Sequence, residues 1–124
     1  MSDERLFALR GATGVDANTE GAILDATELL MRELITRNAL EVAQIVSCIF
    51  TATDDLNAAF PAVAARRLGF DRVPLLCTRE INVPGSLQGV IRVMLHYYAP
   101  AEHTSSHVYL GSARSLRADL DAAQ

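Results

Sequence analysis

Two apolar, strand-like runs, Val73–Thr78 and Val90–Tyr98, enclose a turn at Val83-Pro84-Gly85-Ser86, and the second carries Arg92 between Ile91 and Val93. This stretch, centred on Leu75 to Met94, constrains the chain more than any other. A charge inside an apolar β-run needs a partner, a ligand or water. An ion pair with Glu80, just past Cys77-Thr78-Arg79, is one structural solution. An edge strand that leaves Arg92 in water is another. Both are kept open by these residues alone.

The flanking chain alternates strands and helices. Leu6–Arg10 reads as a strand ending at Gly11-Ala12-Thr13-Gly14, with Arg10 on the same alternate face as Leu6 and Ala8. The Gly-Ala-Thr-Gly run lacks the third glycine and the spacing of a dinucleotide fingerprint. Asn18 or Thr19 caps a helix reaching about Asn38, with Ile23, Thr27, Leu30, Met31 and Leu34 on one stripe. Gln44–Thr53 is a continuous apolar run, expected as a strand covered on both faces. Asp54 and Asp55 read as turn and capping residues rather than metal ligands. Pro61–Leu68 is a short helix closed by Gly69, with Arg66 and Arg67 near its C-terminal end. Ala99–Ser106 is a polar loop, and His103 and His107 are expected at the surface. His107–Leu110 is a short strand carrying Tyr109, and about residues 113–124 form a flexible polar tail.

These elements amount to a single domain, 1–124, of class α+β: a mixed β-sheet with helices on one face. A sheet covered on one face only leaves the other partly apolar, and self-association is the simplest remedy.

Half of the 124 residues are hydrophobic and 21% are charged, as in a folded, soluble protein. No apolar run approaches the roughly 20 residues that span a bilayer, and the start MSDERLFALRG does not read as a signal peptide. A cytoplasmic protein is expected, with Cys48 and Cys77 reduced and buried. The net charge of −4 and the scattered arginines point to neither a nucleic acid nor a membrane as partner. All eleven basic residues are arginine. That excludes lysine Schiff-base chemistry and a P-loop lysine.

No serine elbow is present, Cys77 has no evident base, and no metal-ligand spacing emerges. What remains is one carboxylate, Glu80, the arginines Arg10, Arg66, Arg92 and Arg117, and the phenol of Tyr109. Such a set suits a small dicarboxylate held by bidentate forks. It can also stabilise charge that develops during a reaction.

The chain resembles the AroH-type chorismate mutases, the small monofunctional bacterial class that is not all-helical. The stretches that carry the resemblance are Leu9-Arg10-Gly11-Ala12-Thr13, Thr51-Ala52-Thr53-Asp54-Asp55-Leu56, Phe60-Pro61-Ala62 with Arg66, and Val73-Pro74. They continue with Cys77 and Glu80, Val83-Pro84-Gly85, Ile91-Arg92-Val93-Met94, His107-Val108-Tyr109-Leu110 and Leu116-Arg117. The resemblance implies a pseudo-α/β-barrel homotrimer with active sites between subunits. It implies the cofactor-free and metal-free rearrangement of chorismate to prephenate, in phenylalanine and tyrosine biosynthesis. Arg92, Glu80, Arg10 and Tyr109 are then the catalytic set. Leu76, Cys77, Thr78 and Arg79 line the substrate ring, Phe60 and Arg66 form a cleft wall, and Leu116 and Arg117 partly cover it. Two positions depart from the family pattern: Val63 replaces a frequent lysine, and Leu76 a polar residue. The alternative reading is a non-catalytic trimeric protein that binds a small carboxylate.

Overall fold

In a computed structural model that describes residues 3–116, five strands form one mixed sheet in the order β3-β2-β4-β1-β5. The elements are β1 (Glu4–Gly14), α1 (Glu20–Asn38), β2 (Ile45–Ala52), α2 (Ala62–Arg67), β3 (Leu75–Arg79), β4 (Val90–Pro100) and β5 (Val108–Leu110), with short 3-10 turns at Val42–Gln44 and Gly111–Ala113. The central strand β4 runs antiparallel to both β1 and β2, while β3 and β5 lie parallel to β2 and β1 at the two edges. Both helices cover the same face. No described helix is long and apolar enough to cross a membrane.

The α1 stripe anticipated from helical spacing is the stripe that packs: Ile23, Thr27, Leu30, Met31 and Leu34 are all buried. They meet Leu9 of β1, Phe50 of β2, and Ile91, Val93 and Leu95 of β4. Thr19 is the N-cap, accepting a hydrogen bond from the Ala22 amide. Asn18 instead holds the loop after β2, accepting from the amides of Asn57 and Ala58. At the other end Ala39 adopts a left-handed conformation at φ 50°, and Asn38 ties down Ser106 through two hydrogen bonds.

Three features differ from the sequence expectation, each for a physical reason. Strand β1 does not stop at Arg10 but runs through Gly-Ala-Thr-Gly to Gly14. Gly11 is needed there for space rather than for a turn, because a Cβ would lie 2.9 Å from Leu34 Cδ1 and 3.1 Å from Leu30 Cδ1. Strand β2 is covered on one face only: Cys48 and Phe50 are buried, but Ser47, Ile49 and Thr51 are only half-buried. His103, expected at the surface, is half-buried. Its ring stands edge-on to Phe7 and Tyr97, and its Nε2 lies 2.6 Å from the Tyr97 hydroxyl. Burial pushes the Tyr97 phenol above its ordinary range.

Residues 111–116 continue past β5 in helical turns, with Ala113 fully buried against Ala12 and Val90. The rest of the expected tail lies outside the described residues. Gly14 fixes where this segment sits: a Cβ there would lie 2.1 Å from Ser112 Oγ and 2.9 Å from the Ser112 backbone nitrogen. Gly14→Ala must therefore displace backbone. It should cost about 1–3 kcal/mol in a chemical-denaturation experiment, whereas Gly21→Ala, with nothing within 4 Å of its Cβ, should be neutral or mildly stabilising.

Candidate active site

The sheet face away from α1 and α2 carries Arg10, Arg92 and Tyr109, and strand register shows how. Thr78 of β3 pairs with Thr51 of β2, Thr51 with Arg92 of β4, Arg92 with Ala12 of β1, and Ala12 with Tyr109 of β5. Paired residues share a face. A single row therefore crosses all five strands: Thr78, Thr51, Arg92, Ala12, Tyr109. Neighbouring strands lie about 4.8 Å apart, which puts Arg92 and Tyr109 about 10 Å from one another at the backbone. Ala12, between them, is itself buried beneath Ala113, with Tyr109 and Leu116 packed alongside. One step along, Leu76, Ile49, Met94 and Arg10 form the adjacent row.

Arg92 thus occupies the central strand, not an edge, yet its side chain is 48% exposed, because α1 and α2 lie on the other face and the segment after β5 covers only Ala12 and Val90 on this one. Its Nε lies 3.6 Å from Glu80 Oε2. That is too long for a strong hydrogen bond, so the guanidinium keeps donors for a ligand. Glu80 follows the last residue of β3, and its amide donates to the Ala52 carbonyl. Its Oε2 accepts a hydrogen bond from the Thr51 hydroxyl. Arg92 and Glu80 line a depression of about 510 Å³ that is closed by the Val83–Gln88 loop and by Leu116. The Pro84-Gly85 turn shaping that loop has Gly85 at φ 85° and Ser86 N–H donating to Val83 O at 3.0 Å, as a type II turn requires.

A second cleft, of about 600 Å³, opens on the helix side of β3. Phe60, 71% exposed, lines it with Val63, Arg67, Cys77, Thr78 and Arg79. Cys77 pairs with buried Phe50 and so faces the helices, whereas Glu80 belongs with the open face. No bulge turns them toward each other: β3 simply ends at Arg79, and the two residues, three apart, serve opposite sides. Thr53 and Asp54 line both depressions, and Asp54 is held by Arg79 through a 2.7 Å ion pair. Asp55 plays the turn role expected of it, accepting from the Gly89 amide. Its carboxyl is held below the ordinary range by the Thr53 hydroxyl and that amide.

Within the single chain, then, the expected site residues fall into two groups. Arg92, Glu80, Arg10, Tyr109 and Leu76 belong to the open face, with Leu116 at its upper end. Phe60, Cys77 and Arg79 line the helix-side cleft, and Thr78, though its register puts it in the open-face row, borders that cleft as well. Arg66 is exposed and lines neither depression, while Arg67 lines the second. Arg117 lies outside the described residues. Among the described residues no three His, Cys, Asp or Glu side chains gather where they could hold a metal ion. Cys48 is free, and burial, reinforced by nearby Cys77, pushes its thiol up to about 12.

The model for chorismate mutase type I matches residues 6–120. The chain belongs to the type I chorismate mutase family. It is 44% identical over 118 residues to chorismate mutase AroH of Thermus thermophilus, covering 94% of this chain and 97% of that one. It is 40% identical over 114 residues to chorismate mutase AroH of Bacillus subtilis, covering 90% of each. A solved chorismate mutase from Clostridium thermocellum superposes with a TM-score of 0.83 at 46% identity, over 88% of this chain and 98% of that one.

Two residues of this chorismate mutase fold were not picked out individually by sequence reasoning. Thr51 looks like one more β-branched strand residue, and only its register opposite Arg92 makes it notable. Ala12 had no chemical signal at all. His107 is a third case of hidden connection. Its Nδ1 accepts the Arg10 amide at 3.0 Å, which pins the start of β5 beside Arg10. Partial burial, and next the Arg10 guanidinium, hold its imidazole below the usual 6.5. The folded state therefore prefers the neutral ring more than the unfolded chain does. The resulting stability is full above about pH 6.5 and is lost as pH falls through the lowered folded value. Thermal midpoints should drop as pH is taken from about 7.5 to 5, and His107→Gln should flatten that dependence. An unchanged slope in the variant would assign the drop to other groups.

Proposed function

We propose that this protein converts chorismate to prephenate by electrostatic stabilisation of an intramolecular Claisen rearrangement. The observation that carries this reading is the pairing of one fixed cation, Arg92, with one carboxylate, Glu80, on an open sheet face. In the reaction the ether C–O bond breaks as a C–C bond forms between the enolpyruvyl methylene and the ring. Six electrons move in a closed cycle, so no proton and no external electron is needed. Negative charge grows on the ether oxygen and positive charge on the ring fragment. Arg92 donates to the ether oxygen from a position already set by the sheet, so little reorganisation is required. Glu80 accepts from the ring hydroxyl and faces the electron-poor ring. Arg10 clamps a carboxylate as a bidentate fork, and Tyr109 donates on the enolpyruvyl side. Holding the substrate in its compact conformer adds an entropic contribution.

The same reading makes the protein a homotrimer of the pseudo-α/β-barrel kind, acting in the cytoplasm. The open face supports association: Leu6, Leu76, Met94 and Tyr98 stand on it exposed, Leu76 at 60%. Exposed large apolar side chains gathered on one sheet face are normally covered by a partner. The division of site residues over two faces supports it as well. A substrate touching both Phe60 and Arg92 is most simply enclosed when the helix-side cleft of one copy meets the open face of another. Size-exclusion chromatography with light scattering should return three times the 13.4 kDa chain mass.

The activity is tested by incubating purified protein with chorismate in the presence of a chelator and following prephenate by NMR. Fast conversion is expected. Folded trimer that leaves the spontaneous rate unchanged would favour the carboxylate-binding reading instead.

A further inference from the structure

We infer that Thr51 is a positioning residue for the rearrangement, acting through Glu80 on Arg92. The inference rests on the roles proposed for those two residues. Three observations carry it. Thr51 lies directly opposite Arg92 in the β2–β4 register, on the open face. Its hydroxyl donates to Glu80 Oε2. That same oxygen is the one 3.6 Å from Arg92 Nε.

One carboxylate oxygen is thus shared between a neutral donor and a guanidinium. The Thr51 hydroxyl holds the carboxylate back, so the Glu80–Arg92 contact stays long and Arg92 keeps its donors. The Glu80 amide bond to Ala52 O fixes the backbone but leaves the side-chain torsions free, and Thr51 removes that freedom. Without the hydroxyl, Glu80, only 22% exposed, has its nearest remaining donor in Arg92. A full ion pair would then form and compete with the ether oxygen for the guanidinium. This loss falls on the transition state rather than on ground-state binding, because Arg10 and the cleft wall still hold the substrate.

The test compares steady-state kinetics of Thr51→Val and Thr51→Ser with the wild type. Valine keeps the β-branched shape that suits a central strand, and serine keeps the hydroxyl. Thr51→Val should lower kcat about tenfold, as expected for losing a hydrogen bond to a charged group, with KM within about twofold. Thr51→Ser should return kcat to within about threefold of wild type. In a Glu80→Gln background, adding Thr51→Val should have little further effect, since the two act as one unit. Wild-type kcat in Thr51→Val, equal losses in the valine and serine variants, or full additivity with Glu80→Gln would each overturn the inference. Arg92→Ala run alongside separates the two levels. If it keeps activity, the proposed site itself is wrong. If it is inactive while Thr51→Val is normal, only the role of Thr51 falls.

Discussion

Arg92→Ala should lower kcat by at least about a thousandfold, or about 4 kcal/mol of transition-state stabilisation, while leaving the thermal midpoint and the oligomeric state unchanged. The separation follows from where the side chain stands. It is half exposed on the face away from α1 and α2, and its only ion-pair partner among the described residues is Glu80 at 3.6 Å. A half-exposed pair of that length adds little to folding, since such pairs are worth about 0–1 kcal/mol. Removing it leaves no cavity in the core. On the proposed mechanism, none of the other described residues is assigned to the reacting ether oxygen. Arg92→Lys should recover only part of the loss, because an ammonium is a point charge without the planar fork. Near-normal turnover in Arg92→Ala, measured as chorismate loss in a folded protein, would remove the proposed mechanism.

Phe50→Ala should show the opposite pattern. Phe50 is one residue from Thr51 on the same strand but points to the helices, and it is fully buried in the main core. Truncating a buried phenylalanine costs about 3–5 kcal/mol through lost burial and the cavity left behind. In a domain of this size that corresponds to a fall in thermal midpoint of roughly 10–20 °C. The open face and its row of polar groups do not depend on the phenyl ring directly. At low temperature and fixed protein concentration, kcat per folded subunit should therefore stay within a fewfold of wild type. A stable Phe50→Ala would mean that the packing between sheet and helices is looser than described. Strand parity thus divides neighbouring residues between stability and chemistry, and the two variants read the two faces separately.

That parity was also what made part of the site legible in sequence. The placement of Arg10 on one face with Leu6 and Ala8 needed only the two-residue repeat, and the α1 stripe only the helical one. The order in which strands pair is a different matter. β3 and β4 are consecutive in the chain, yet β2 lies between them, and β1 separates β4 from β5. Such non-local pairing leaves no local trace, so the row from Thr78 to Tyr109 could not be read from spacing. The true length of β1 was hidden because Gly11 and Gly14 look like turn residues. They are small because Leu34 and Ser112 occupy the space a side chain would need. The run Gln44–Thr53 reads as doubly buried because Ile49 and Thr51 are β-branched, and composition does not distinguish a helix-covered face from an open one. The half-burial of His103 is hidden for a related reason. Its polar neighbours in sequence are unlike its neighbours in space, Phe7 and Tyr97.

The most direct measurement is a crystal structure with a stable bicyclic ether dicarboxylate shaped like the rearranging substrate. The ether oxygen should lie within hydrogen-bond distance of the Arg92 guanidinium, with Glu80 on the ring side, Arg10 on a carboxylate, and Phe60 and Cys77 of a second copy closing the site. An analogue seated wholly within the helix-side cleft of one chain, out of reach of Arg92, would contradict the account.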